Sequence, residues 1–193
     1  MNTQIKKEKE KIKKKKKKWY TVLSSAEFNK QVIAETMSSD PKSLMGRTIK
    51  VSLMNLTREI KHQNIKIIFS INSVNENNTL TEVVGYELVP SFIKRITRTG
   101  REKIDDVNIY ETKDNIKLVL KLLIMTKSKT KRSILSNLRH KSKEFLTAKI
   151  QKQDYSELIT SLISYALQKE LKSTLSKIYP VAVCDVRVLK KIK

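Results

Sequence analysis

The chain has 193 residues, and its 41 Lys and Arg against 19 Asp and Glu leave a formal net charge of +22. Self-repulsion at this density opposes compaction unless a polyanion offsets it, which points to nucleic acid first and to an acidic membrane surface second. A single Cys excludes a secreted disulfide scaffold, and 39% apolar residues are too many for a disordered basic polymer.

The charge is concentrated at the start. Residues 1–18 hold ten Lys against two Glu, with only Met1, Ile5 and Ile12 as apolar side chains. Such a segment cannot offset the entropy of ordering its backbone, so a disordered basic arm is expected. Its candidate RNA contacts are Lys13, Lys14, Lys15, Lys16, Lys17 and Lys18, with Trp19 where the arm meets the folded part.

From Trp19 apolar and polar residues alternate. Ile49, Val51 and Leu53 keep period two, and Ile65, Ile67, Phe69 and Ile71 keep it longer, so both segments predict strands. Asn75 to Asn78 is a turn cluster leading to a strand over Leu80 to Leu88, which makes a hairpin. Val107 to Glu111 and Ile116 to Met125 read as a second hairpin around Thr112 to Asn115. These strands predict a closed or nearly closed antiparallel barrel over residues 19–125.

Beyond Met125 the period lengthens to that of a helix. Ile134, Leu135, Leu138, Phe145, Leu146 and Ile150 form one stripe in a basic helix. A longer run has Asp154 as N-cap and Glu157 three residues on. It places Leu158, Ile159, Leu162, Ile163, Ala166, Leu167, Leu171, Leu175 and Ile178 on one face, as one helix or as two with a bend. Pro180 ends it, and Val181, Val183, Val186 and Val188 predict a closing strand with Cys184 buried beside the last two. The fold class is therefore α+β: a basic arm over 1–18, an antiparallel barrel-like core over 19–125, and helices with a closing strand over 126–193.

Catalytic chemistry finds little support in the residue pattern. His62 and His140 have no Cys or carboxylate pair at ligand spacing, so neither a metal nor any other cofactor is indicated. The three glycines, Gly46, Gly85 and Gly100, do not make a phosphate-cradling loop. Asp105 and Asp106 are adjacent on a strand and point to opposite faces, which suits no acid–base pair.

Two internal basic clusters stand out. The first is Lys94, Arg95, Arg98, Arg101 and Lys103; if Ser91 to Thr99 is helical, Arg95 and Arg98 share a face opposite Phe92, Ile93 and Ile96. The second runs from Lys127 to Lys152, with nine basic residues and one acid, Glu144, and offers Lys127, Lys129, Lys131, Arg132, Arg139 and Lys141 to phosphates. A basic amphipathic helix also suits a membrane surface, but this stripe has Phe145 as its single aromatic and no Trp to anchor it there. No apolar stretch approaches the ~18 residues of a membrane span, and no signal peptide precedes Trp19, so a cytoplasmic location is expected.

Several short strings, in order along nearly the whole chain, carry a resemblance. They are Lys18-Trp19-Tyr20, Asp40-Pro41, Gly46-Arg47, Val51-Ser52-Leu53 with Leu56-Thr57, Gly85-Tyr86-Glu87-Leu88, Lys103-Ile104-Asp105 and Lys177-Ile178-Tyr179-Pro180. In these the chain resembles the S-three-a (eS-one) family of archaeal and eukaryotic small-subunit ribosomal proteins. The resemblance implies a non-catalytic structural constituent of the small ribosomal subunit, on the platform near the messenger exit and the 3′ end of the small-subunit rRNA. Its partners would be that rRNA, neighbouring small-subunit proteins and messenger near the exit, with no membrane, and a eukaryotic member would pass through the nucleolus during assembly. The alternative from charge alone is a free RNA chaperone or another non-catalytic nucleic-acid-binding protein. The chain departs from the family in a shorter segment at Thr126 to Arg132 and in lacking a glycine that often divides the last helical region.

Overall fold

The computed structural model describes residues 16–97 and 99–192. Most of the expected arm, including Lys13, Lys14 and Lys15, lies outside these residues, as do Arg98 and Lys193. Eight strands and five α-helices make up the described fold. They are β1 (Lys18–Leu23), β2 (Val32–Ser38), β3 (Thr48–Ser52), α1 (Leu53–Thr57), β4 (Ile65–Asn75), β5 (Asn78–Leu88), α2 (Pro90–Ile96), β6 (Lys103–Glu111), β7 (Lys117–Thr126), α3 (Arg132–Ile150), α4 (Tyr155–Ile163), α5 (Ala166–Ser176) and β8 (Val181–Lys191). The chain forms two compact units, one of residues 1–48 and 70–82 and the other of 49–69 and 83–193, so their boundary cuts β4 and β5.

Period two is decisive in β4, where Ile65, Ile67, Phe69 and Ile71 are all buried and the strand turns into β5 through Glu76, whose φ is 47°. In the first unit β1 pairs antiparallel with β2 and parallel with the start of β5, Thr21 lying opposite Asn78 and Leu23 opposite Leu80. Threonine hydroxyls tie that parallel seam: Thr79 Oγ1 donates to the Thr21 carbonyl at 3.3 Å and Thr81 Oγ1 to that of Leu23 at 2.7 Å. Tyr20, Val22, Phe28 and Leu44 are buried in this unit.

In the second unit the strand order is β5-β8-β7-β6, antiparallel throughout. The face bearing Ile104, Leu118, Leu120, Leu122, Ile124, Cys184, Val186 and Leu189 is buried. Helices cover it: Arg139 of α3 reaches Asp106 on that face, and the Lys191 ammonium lies 5.6 Å from the Tyr155 ring centre in α4. The helical stripe supplies Leu138, Leu146, Ile150, Leu158, Leu162, Leu167, Leu171 and Leu175 as buried residues. Burial of this apolar surface is what offsets the charge repulsion, at about 25 cal/mol per Å².

Several expectations are corrected. The barrel does not close: the hydrogen-bonded order β2-β1-β5-β8-β7-β6, with β4 pairing β3 and β5, ends on β2 and β6 and includes a parallel step. β8 lies between β5 of the first hairpin and β7 of the second, a place its position in the chain does not reveal. Leu53 does not continue a strand but starts α1, which Arg58 ends at a φ of 58°. Of the two forms left open for the long helical run, the two-helix one is found, divided at Tyr165, whose φ of 58° supplies the left-handed turn without a glycine. In β8, register shifts at Ala182 and Arg187 break the alternation, so Val181, Cys184, Val186 and Leu189 are buried while Val183 and Val188 are only half-buried.

Gly85 shows why one of the family strings is needed. A Cβ added there would meet the Leu189 carbonyl oxygen at 2.8 Å, across the β5–β8 ladder, and Ile68 Cδ1 at 3.4 Å. Gly85→Ala is therefore expected to destabilise the fold by about 1–3 kcal/mol, read as a lower urea midpoint with unchanged slope.

Candidate nucleic-acid interface

The two internal clusters meet in the second unit. Lys103 lies opposite Met125 at the end of the β6–β7 ladder, and one step beyond it Thr126 N donates to the Glu102 carbonyl at 3.0 Å while Glu102 N donates to Thr126 Oγ1 at 2.9 Å. Arg101 and Lys103 thus flank the chain just where it enters Lys127 to Lys131.

That basic segment has no regular structure, yet it is pinned. Lys127 N donates to the Pro180 carbonyl at 3.0 Å, and the Tyr179 hydroxyl lies 2.7 Å from Ser128 Oγ and donates to the Lys129 carbonyl at 3.2 Å. Thr126 Oγ1 also donates to the Ser128 carbonyl at 2.7 Å. Pro180, read from sequence as a helix stop, and Tyr179, one of the residues that carry the resemblance, are therefore what shape the basic segment. Lys127, Lys129, Lys131 and Arg132 are exposed, with no ion pair among the described residues.

Other expected contacts are already committed. Lys103 Nζ lies 3.1 Å from Asp105, which also holds Arg187. Arg139 Nε lies 3.3 Å from Asp106, and Lys141 Nζ 3.0 Å from Glu144. Burial pushes the Asp106 carboxyl above its usual value, Arg139 opposing the shift and Asp105 adding to it. These cations are held against the protein before any ligand arrives, whereas the four from Lys127 to Arg132 are not.

The first cluster differs from its expected form. α2 ends at Ile96, short of the expected Thr99, and Gly100 turns with a φ of 86°. Lys94 and Arg95 are exposed, and the Arg95 guanidinium lies over the Phe92 ring, 5.2 Å from its centre, rather than on an opposite face. At the start of the described chain Lys16, Lys17, Lys18 and Trp19 are all exposed.

Among the described residues no three His, Cys, Asp or Glu side chains gather as a metal ion would require. His62 is buried, its Nδ1 3.0 Å from Thr57 Oγ1 and its ring stacked on Tyr165. Burial, with Asp185 adding and Lys172 opposing, pushes the Cys184 thiol up to about 12, so its nucleophilic thiolate does not form near neutrality. No described helix is long and apolar enough to cross a membrane.

The family model described as the Ribosomal S3Ae family matches residues 4–193. The small ribosomal subunit protein eS1 of Desulfurococcus amylolyticus is 29% identical over 91% of this chain and 83% of the relative. The proteins of the same name from Methanobrevibacter smithii and Methanothermobacter thermautotrophicus are each 29% identical, over 87% and 90% of this chain and 87% and 91% of their own lengths.

The pinning of the basic segment is open to a direct check. Tyr179→Phe keeps the ring and removes the hydroxyl; hydrogen exchange at residues 127–131 should quicken while that of α4 stays as it is, with a stability loss of about 1 kcal/mol.

Proposed function

The chain belongs to the Ribosomal S3Ae family, and from that premise we propose that it is a structural constituent of the small ribosomal subunit that binds small-subunit rRNA through its basic surface. The observation that carries the reading is the run Lys127 to Arg132, four exposed cations without a carboxylate partner among the described residues, on a segment held in place by Tyr179 and Pro180. Phosphate oxygens are the acceptors that such a fixed array fits, because phosphate contacts position a protein on RNA without reading its sequence. Arg101, beside this run, and Lys94 and Arg95 on α2 extend the surface, and the lysines before Trp19 add a second one. Arg98 and the arm lysines belong to the same proposal. The site it occupies is the platform near the messenger exit and the rRNA 3′ end, with neighbouring small-subunit proteins and messenger as further contacts. Its role there is architectural and not catalytic.

Salt dependence tests the phosphate contacts. Replacing Lys127, Lys129 and Lys131 together by Gln should lower the magnitude of the slope of log K against log salt by roughly 2 to 3 and reduce incorporation into the subunit. Lys50, Lys113 and Lys149, which face Glu87, Asp154 and Glu170 at 2.7, 3.5 and 2.7 Å, are the charge-matched control and should change the slope far less. Equal effects from the two triples would refute the special role of the pinned segment.

A further inference from the structure

A single exposed apolar side chain needs no explanation, but Trp19 does not stand alone. It is 63% exposed, and the β1–β2 register puts Met37, itself 41% exposed, directly opposite on the same face of the sheet. Arg47 is fastened to the same strand, its Nε donating to the Ser43 carbonyl at 3.2 Å and its Nη1 to Thr36 Oγ1 at 3.1 Å and to the Met37 carbonyl at 3.3 Å. Arg47 is exposed and its Nη2 makes no hydrogen bond among the described residues, so a planar guanidinium is held beside Met37 with a donor open to a ligand. Exposed Lys16, Lys17 and Lys18 immediately precede Trp19 in the chain.

We propose that Trp19, Met37 and Arg47 form a binding site for an unpaired RNA nucleotide, the base stacking on the indole and lying against the Met37 side chain, the adjoining phosphates taken by Arg47 Nη2 and the lysines. The charge around the patch selects this occupant. A protein surface covering Trp19 would have to bring several carboxylates to Lys16, Lys17, Lys18 and Arg47 as well as an apolar group, whereas one nucleotide carries a π-face and a phosphate in a single unit. A duplex offers no free base face here, so the ligand is single-stranded. The inference rests on the RNA-binding reading above and deepens it, adding a base contact to what are otherwise phosphate contacts.

Trp19 is the chain's one tryptophan, so fluorescence excited at the red edge, where the six tyrosines do not absorb, reports on this site alone. Titration of the full chain with a short oligoadenylate should quench the emission, while inorganic polyphosphate, which occupies the lysines but has no base, should leave it nearly unchanged. With a labelled oligoadenylate followed by anisotropy, Trp19→Ala should weaken binding about tenfold and Trp19→Phe should restore most of the loss. Binding that leaves the emission unquenched, with an affinity indifferent to Trp19→Ala, overturns the nucleotide site, assigns the patch to a protein neighbour and leaves the phosphate contacts standing. Failure of the unaltered chain to bind RNA at all would overturn both readings together.

Discussion

Nineteen carboxylates cannot neutralise forty-one ammonium and guanidinium groups, and where those few carboxylates are placed governs the rest of the structure. Many of them sit where elements meet. Glu87 of β5 holds Lys50 of β3, Asp105 of β6 holds Arg187 of β8, Asp106 of β6 holds Arg139 of α3, and Glu170 of α5 holds Lys149 of α3. Exposed pairs of this kind contribute at most about 1 kcal/mol each, so they are better understood as local cancellation of repulsion than as the source of stability. Part of what they leave over is the uncancelled charge of the run from Lys127 to Arg132.

The source of stability is apolar, and it passes through β8. That strand is the last element of the described chain, yet it lies between β5 and β7, with Val186 and Leu189 buried under the helices. The residues just before it do a second job: Tyr179 and Pro180, which end the helical region, also bind the basic segment that follows β7. Core and interface are thereby coupled over a few residues. Disturbing the entry to β8 displaces the lysines, and the lysines repel one another least when an anion lies among them.

How much of this is legible in the sequence depends on the range of the interaction. β4, β5 and α4 are visible because period two and a capping box are local: Ile65 to Ile71 bury alternate side chains, and Asp154 with Glu157 closes the helix start reciprocally. β8 is visible as a strand but not as a central one, since its neighbours are chosen by pairing far along the chain. Leu53 continues the alternation of β3 yet begins α1, and Tyr165 divides two helices at a conformation that no residue pattern marks. The candidate interface follows the same rule. The basic clusters are plain in the sequence, but only tertiary structure joins Arg101 and Lys103 to Lys127 through Glu102 and Thr126 and commits Arg139 to Asp106, whereas the Lys103–Asp105 and Lys141–Glu144 pairs are local. Arg47 is legible only as part of the Gly46-Arg47 string, and its place beside Met37 is set by hydrogen bonds to Ser43, Thr36 and Met37 that no local pattern marks.

The central claim is that lysines without a carboxylate partner are the ones RNA neutralises, and lysine reactivity measures that directly. Acetylation rates of each lysine, read by mass spectrometry, can be compared between the free chain and the assembled small subunit before and after ribonuclease digestion. Lys127, Lys129 and Lys131 should be strongly protected in the subunit and regain reactivity when the RNA is digested, with Lys50 changing little. Equal reactivity of the three lysines in the free chain and in the subunit would contradict it.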